Sequence, residues 1–185
     1  MNHSEQQFTH RIATSADVAD IRTLMSLAIE QNMAAFLSPP QVEAAKESMG
    51  VDQLLVSDGT YFAIETVQQG ETLLVGCGGW GKRKTLYGGD HSAGRDDALS
   101  DPKVDAARIR AMYTHPDWVR RGIGTLLLQL GETAAREAGF NSIELGATLA
   151  GEPLYLARGY LEVGRDYLET ENGEESVVIR MVKKL

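Results

Sequence analysis

The stretch Thr114–Leu130, T-H-P-D-W-V-R-R-G-I-G-T-L-L-L-Q-L, places two arginines and a Gly-x-Gly pair directly before a leucine-rich segment. Apolar residues at Ile123, Leu127 and Leu130 recur at helical spacing, which predicts a helix that Gly139 ends. Glycine lets backbone approach a ligand closely, and the free N–H groups of a helix N-terminus attract anions. The stretch predicts either a phosphate-binding turn or a tight surface turn that carries two arginines.

The segments around this stretch predict a mixed α/β fold with one sheet and flanking helices. A capping box at Thr14 and a Ser38-Pro39 start predict two N-terminal helices, the second running to about Met49. A short helix is expected after Pro153, in the sequence L-Y-L-A-R. Seven strands are expected: Phe8–Ala13, Tyr61–Thr66, Leu73–Trp80, Ala107–Thr114, Ser142–Gly146, Tyr160–Arg165 and Ser176–Val182.

Between the third and fourth strands lies Gly81–Lys103, a long segment with four glycines, several charges and few apolar residues. A loop of this length in a compact domain is either functional or partly mobile. We interpret His91 within it as a solvated loop residue, because no metal-ligand spacing surrounds it. The length of 185 residues and the lack of an internal linker predict a single domain over residues 1–185.

The composition narrows the class of partner. The formal net charge is −8 at pH 7, which argues against nucleic acid, because that binding depends on basic patches. A mildly acidic surface favours cationic or neutral small molecules. The adjacent pair Arg120 and Arg121 is a local exception in an acidic chain, so it indicates a local anionic ligand.

The chain has one cysteine, Cys77, which we interpret as a small buried residue of a strand. A lone cysteine fits a reducing compartment. No apolar run has the length of a membrane span, and the start M-N-H-S-E-Q-Q lacks the features of a secretory signal. We therefore expect a cytoplasmic protein with no membrane partner and no metal.

Three phosphate-bearing ligand classes compete for the Gly-x-Gly turn. A nucleoside triphosphate requires G-x-x-x-x-G-K-[ST], which the chain lacks. A dinucleotide requires a third glycine where Leu127 stands, although Glu144 occupies the place of a ribose-binding acid. Too few residues follow the turn to complete a doubly wound sheet. The third class is coenzyme A, which carries a pyrophosphate and a further phosphate.

The run A-R-I-R-A-M-Y-T-H-P-D-W-V-R-R-G-I-G-T-L-L-L resembles the acyl-CoA-binding core of the GCN5-related N-acetyltransferases, the GNAT superfamily. The family loop R/Q-x-x-G-x-G/A is matched at Gly122 and Gly124, with Val119 at its first position. The family's tyrosine helix is matched by P-L-Y-L-A-R-G-Y, which contains Tyr155. The family's upstream Asn and Ala are replaced by Thr148 and Gly151.

This resemblance implies the fold, the reaction and the site residues. It implies a mixed, mostly antiparallel sheet and transfer of an acetyl group from acetyl-CoA to an amine. The residues it implies for CoA binding are Met112, Tyr113, Thr114, Arg120, Arg121, Gly122, Ile123, Gly124 and Thr125. The backbone N–H near Met112 would stabilise the oxyanion, and Tyr155 would be the general acid that protonates the departing thiolate.

Several functional questions stay open at the level of sequence. The general base is not readable, since Glu65, Asp105 and Glu144 all lie near predicted strands. The acceptor is an unidentified small-molecule or peptide amine, and a homodimer is compatible with the family. A non-catalytic CoA-binding regulatory module is the alternative to an enzyme, and an NAD-dependent oxidoreductase comes third.

Overall fold

A computed structural model describes residues 8–170 and 172–185. Met1–Gln7, the start interpreted above as lacking a signal, and Glu171 lie outside the described residues. The strands are β1 (Thr9–Ile12), β2 (Tyr61–Gln68), β3 (Glu71–Gly81), β4 (Ala107–Thr114), β5 (Ser142–Ala147), β6 (Leu161–Glu169) and β7 (Glu175–Lys184). The helices are α1 (Val18–Asn32), α2 (Pro39–Ser48), α3 (Gln53–Ser57), α4 (Ile123–Glu137) and α5 (Glu152–Ala157).

The described strands form one sheet in the order β1-β2-β3-β4-β5-β7-β6. Their neighbouring pairs are antiparallel, apart from the parallel pair β4 and β5 at the centre. The prediction of a mixed, mostly antiparallel sheet flanked by helices is confirmed. A doubly wound parallel sheet, which the dinucleotide alternative requires, is not what these strands form.

The central parallel pair is short. β4 and β5 are in register only at Ala107 with Ile143 and at Arg108 with Glu144. Beyond these positions the two strands are unpaired, and we call the gap the β4–β5 cleft. The cleft interrupts an otherwise continuous sheet between Ile109–Thr114 on one side and Leu145–Ala147 on the other.

The two faces of the sheet are covered by separate apolar clusters. The α4-side core packs α4 and α5 on the sheet, with Ile109, Leu127, Leu145 and Ile179 among its buried residues. The α1-side core packs α1 and its neighbours on the other face and includes Ile21, Leu24, Met25, Tyr61 and Cys77. Cys77 is fully buried, as expected, and burial raises the pKa of its thiol to about 12.

Local sequence signals set several helix ends as predicted. Ser38 and Gln41 form a capping box at α2, with Pro39 at its first position. Gly139, at φ +91°, follows the last residues of α4 and donates to the carbonyl of Arg136 at 2.9 Å. The helix α3 was not predicted, because five residues are too few to show a helical period.

Candidate functional site

The edge of the cleft on β4 is shaped by a β-bulge at Ala111. The register runs from Cys77 with Tyr113 to Gly79 with Arg110, so β4 has one residue more than β3 over this interval. Ala111 takes φ +50°, which is uncommon for a residue with a side chain. The Tyr61 hydroxyl donates to the Ala111 carbonyl at 2.9 Å and stabilises the bulge from the α1-side core.

The bulge fixes which backbone groups of β4 face the cleft. His115 N–H donates to the Val75 carbonyl at 2.9 Å, so His115 and Tyr113 direct their backbone toward β3. The intervening Met112 and Thr114 therefore direct their N–H and C=O groups toward the cleft. The Thr114 carbonyl accepts a hydrogen bond from Asn32 Nδ2 at 2.8 Å. The buried ring of Tyr113 belongs to the α1-side core rather than to the cleft.

The predicted anion site lies at the start of α4. The first α-helical hydrogen bond runs from Leu126 N–H to the Gly122 carbonyl at 2.9 Å. The N–H groups of Ile123, Gly124 and Thr125 come before it in the chain and therefore have no α-helical partner. Among residues 8–170 and 172–185, these three N–H groups find no acceptor. They point out of the helix end, where the helix dipole favours negative charge.

The two glycines of the turn serve different purposes. Gly122 takes φ +90°, and a Cβ at this position would meet no atom within 4 Å, so the space in front of it is open. A Cβ on Gly124 would meet Leu154 Cδ2 at 2.7 Å, so this glycine admits α5 beside the start of α4. Ile123 is buried in the α4-side core, which leaves its backbone as the part available to a ligand.

The two arginines also differ. The Arg121 guanidinium lies over the Trp118 ring, 4.7 Å from its centroid, in a cation–π contact. Arg120 takes φ +63° and is exposed. Within the described part of the chain, no carboxylate forms a salt bridge with Arg120. Its charge is therefore available to an anion at the helix end.

Tyr155 lies on α5 beside β4. Its hydroxyl is 3.9 Å from Met112 Sδ, and its ring meets Tyr160 edge-on with centroids 5.8 Å apart. Burial raises the pKa of Tyr155 to about 12, so the hydroxyl keeps its proton at neutral pH. The structure thus brings the predicted acid to the α4 side of the cleft, next to the cleft-facing backbone of Met112.

The three carboxylates considered as bases lie in different places. Glu65 forms an ion pair with Arg11 of β1 at 2.7 Å, on the side of β2 away from the cleft. Asp105 accepts a hydrogen bond from the backbone N–H of Asp101 at 2.7 Å. Glu144 lies at the closed end of the cleft and pairs with Arg108 at 2.9 Å. Of the three, Glu144 is therefore the carboxylate adjacent to the cleft.

On the α1 side, the long connection between β3 and β4, which the sequence predicts to be either functional or partly mobile, reaches the cleft. A Cβ on Gly146 of β5 would meet Tyr87 Cδ1 at 2.9 Å, so the Tyr87 ring packs directly on this strand. The Tyr87 hydroxyl donates to Asp166 at 3.4 Å. His91 is exposed, as predicted, and its Nε2 lies 2.5 Å from the Glu47 carbonyl.

Neither a metal-binding group of side chains nor a membrane-spanning helix is found among the described residues. Across residues 8–170 and 172–185, no group of three or more His, Cys, Asp or Glu side chains is arranged to hold a metal ion. Among the helices that the structure describes, none has both the length and the apolar character needed to cross a bilayer.

Comparison with protein families gives a match over most of the chain. The model of the acetyltransferase (GNAT) family matches residues 22–160. This range includes β4, the turn before α4, and α5 with Tyr155. No functionally curated protein matches the sequence.

Solved structures share the fold at low sequence identity. A GCN5-related N-acetyltransferase from Rhodopseudomonas palustris is 24% identical with a TM-score of 0.67, covering 100% of this chain and 99% of its own. The paia N-acetyltransferase from Thermoplasma acidophilum, solved with coenzyme A, is 14% identical at TM-score 0.61, covering 97% and 99%. The structure of yncA from Salmonella typhimurium with acetyl-CoA is 19% identical at TM-score 0.61, covering 96% and 94%.

Proposed function

We propose, from the premise that this chain belongs to the acetyltransferase (GNAT) family, that it transfers an acetyl group from acetyl-CoA to a primary amine. Membership of the family identifies the chain as an acyltransferase. The observation that carries the finer proposal is the juxtaposition of the open N-terminus of α4 with the β4–β5 cleft. The N-terminus of α4 can hold phosphates, and the β4–β5 cleft can hold an extended thioester arm. Tyr155 lies where these two features meet.

The turn before α4 is the proposed site for the CoA pyrophosphate. The N–H groups of Ile123, Gly124 and Thr125 lack acceptors within the described chain, and Gly122 leaves open space in front of them. Arg120 adds a formal charge, while Arg121 supports the turn through its stack on Trp118. Solved structures of the same fold contain coenzyme A or acetyl-CoA, which supports CoA as the co-substrate here.

The cleft is the proposed site for the pantetheine arm. The backbone groups of Met112 and Thr114 face it, whereas those of Tyr113 are directed to β3, so we assign the contacts to Met112 and Thr114. Tyr113 contributes through the packing that supports β4. Among the described residues, the edge of β5 that faces Met112 and Thr114 is paired with no strand, so it is open to a ligand.

The chemistry requires an oxyanion donor and an acid. Attack by a neutral amine on the thioester carbonyl creates a tetrahedral oxyanion, and the cleft-facing N–H of Met112 is the proposed donor. The new C–N bond replaces the C–S bond, the amine nitrogen loses a proton, and the sulfur gains one. Tyr155 is the proposed acid, because its hydroxyl is un-ionised and lies beside Met112.

The acceptor is proposed to be a small-molecule or peptide amine that approaches from the α1 side. Tyr155 lies on the α4 side, so an acceptor from the other face would attack with the thiolate leaving toward Tyr155. The net charge of −8 is compatible with an acceptor that arrives as a cation. Nucleic acid and membrane are not among the proposed partners.

The test is a coupled measurement of binding and turnover. Calorimetry with CoA measures affinity, and thiol release from acetyl-CoA is followed with a panel of primary amines. We expect micromolar binding and amine-dependent thiol release, with the acetylated amine identified by mass spectrometry. Binding without thiol release for any amine would contradict the transferase proposal and favour a regulatory CoA-binding module.

We also propose that the whole chain, residues 1–185, is one acetyltransferase domain. The Rhodopseudomonas palustris structure supports this, because its fold aligns with 100% of this chain. A cytoplasmic location is the matching proposal, supported by a lone, buried cysteine thiol. Fractionation of the native host, with detection of the protein in the soluble cytosolic fraction, tests the location.

A homodimer is the proposed assembly, with the edge strand β6 as its contact. On β6, the side chains of Leu161, Val163 and Tyr167 are more than half exposed. An edge strand with apolar side chains is a template for pairing with another strand, and a second copy of β6 supplies one. Sedimentation velocity tests this proposal, and a protein that is monomeric at about 100 μM would contradict it.

A further inference from the structure

We propose that Tyr87 contacts the acceptor, and that Asp52 is the positioning residue that holds the segment carrying Tyr87 against the cleft. This inference rests on the proposed acetyl transfer and identifies residues that line its acceptor site. It assigns a role to residues 85–97, the part of the long β3–β4 connection that packs on the α1 side of the sheet.

Tyr87 lies at the mouth of the cleft. Strand pairing between β4 and β5 ends at Glu144, and Gly146 lies two residues further along β5. The Tyr87 ring packs on Gly146, where a Cβ would lie only 2.9 Å from Tyr87 Cδ1. Leu145 and Ala147 point to the α4-side core, so Tyr87 covers the opposite face of the same strand. An acceptor that enters from the α1 side passes this ring.

A buried ion cluster fixes the segment that carries Tyr87. Asp52 is 2% exposed, and its carboxylate accepts from Arg110 Nη2 at 2.8 Å and from Arg95 Nη1 at 3.2 Å. Arg110 also donates to the carbonyls of Thr85 at 3.0 Å and Gly88 at 2.6 Å. These two carbonyls lie on either side of Tyr87 in the chain, so Arg110 holds both ends of the turn that presents the ring.

The cluster connects this turn to the catalytic strand. Arg110 immediately precedes Ala111, the bulge residue of β4. Burial lowers the pKa of Arg110, and the negative charge of Asp52 opposes that change, so the guanidinium depends on this carboxylate. Loss of the Asp52 charge leaves the buried Arg110 guanidinium without its carboxylate partner, next to Arg95, which keeps its ion pair with Asp97 at 3.1 Å. We therefore expect the segment to detach from the sheet when Asp52 is neutralised.

The first experiment replaces Tyr87. Acetylation of the fastest of three amines (phenethylamine, spermidine and glycylglycine) is measured for the parent, Tyr87→Phe and Tyr87→Ala. We expect Tyr87→Ala to raise the acceptor KM at least tenfold and to leave the CoA dissociation constant within twofold. Tyr87→Phe keeps the ring on Gly146 and restores KM to within threefold. An unchanged KM in Tyr87→Ala overturns the contact.

The second experiment compares two Asp→Asn changes. Asp52→Asn should raise the acceptor KM at least tenfold with kcat within threefold of the parent. Asp58→Asn is the matched control, because Asp58 pairs with Arg83 at 2.7 Å near the start of the same connection and does not contact Arg110. We expect it to leave KM unchanged. Equal effects of the two variants would overturn a specific positioning role for Asp52.

A third variant keeps the inference testable if Asp52→Asn does not fold. Arg95→Gln removes the outer cation, whose side chain is 12% exposed, and leaves the contact of Arg110 with Asp52. We expect a KM increase of about threefold, together with faster amide hydrogen exchange at Asp90 and Asp96. A parent that acetylates none of the three amines contradicts the proposed function. A parent that does so, with variants of unchanged KM, contradicts this inference alone.

Discussion

Replacement of Tyr155 by phenylalanine removes one hydroxyl group and keeps the ring. The hydroxyl contacts Met112 Sδ at 3.9 Å, a long and weak interaction, while the ring packs edge-on with Tyr160. We therefore expect the free energy of unfolding to change by less than about 1 kcal/mol. Affinity for CoA should stay within twofold, because the proposed phosphate site at α4 is untouched.

Turnover should fall by roughly 10²-fold. A hydrogen bond to a charged group contributes about 1.5–3 kcal/mol, which corresponds to roughly 10- to 150-fold in rate. The pKa of Tyr155 is about 12, whereas that of a free thiol is about 8.5. Complete proton transfer to the thiolate therefore costs about 5 kcal/mol, at 1.36 kcal/mol per pKa unit. The hydroxyl therefore acts as an acid by donating a strong hydrogen bond to the sulfur in the transition state, before the proton is transferred.

The assay measures kcat with saturating acetyl-CoA and the best amine of the panel. Tyr160→Phe is the matched control, because it removes a hydroxyl from the neighbouring ring. That hydroxyl donates to the buried Glu132 at 3.0 Å, so its loss should lower the free energy of unfolding by about 1–3 kcal/mol. Turnover of Tyr160→Phe should stay within twofold. If Tyr155→Phe keeps kcat within twofold of the parent, or if both variants lose equal turnover, the acid assignment is wrong.

Three further predictions concern the phosphate site and alkaline stability. Gly122→Ala should weaken CoA binding at least tenfold in calorimetry; Gly173→Ala, which shares the strain of a positive φ (+80°) at an open turn, should not. Arg120→Ala should reduce the salt dependence of the CoA dissociation constant, whereas Arg121→Ala should mainly lower the melting temperature, because Arg121 stacks on Trp118; the reverse result would contradict the assigned roles. Because burial raises the pKa of Tyr155 from 10 to about 12 in the folded state, the free energy of unfolding does not depend on this group below pH 10 and falls as the pH rises through 12. The expected decrease is about 3 kcal/mol, and urea unfolding of the parent and of Tyr155→Phe as a function of pH measures it; equal pH slopes would refute it.

Features with a local sequence signal were predicted correctly. The helix α4 was predicted from the spacing of Ile123, Leu127 and Leu130, and its end was predicted from Gly139. The strands β2 and β3 were predicted as Tyr61–Thr66 and Leu73–Trp80, and both extend further than expected. The role of Tyr155 as an acid came from the family resemblance and stays a prediction, since spacing alone does not bring α5 to β4.

Features that depend on distant pairs could not be read from the sequence. The partners in the Asp52 cluster are 58 and 43 residues away in the chain, at Arg110 and Arg95. The bulge at Ala111 follows from the register against β3, not from a local motif. The different roles of Gly122 and Gly124 depend on where Leu154 packs. Such contacts are set by tertiary packing, which no window of sequence contains.

The two separate cores have a consequence for engineering. The α4-side core lies under the proposed CoA site, and the α1-side core lies under the proposed acceptor site, with the sheet between them. Substitutions at sites more than about 7–10 Å apart without shared partners are close to additive in free energy. A library of substitutions confined to the α1 face would therefore alter the choice of acceptor and leave the proposed CoA site unchanged. Beneficial variants from the two faces could then be recombined freely, except at β4, whose residues belong to both.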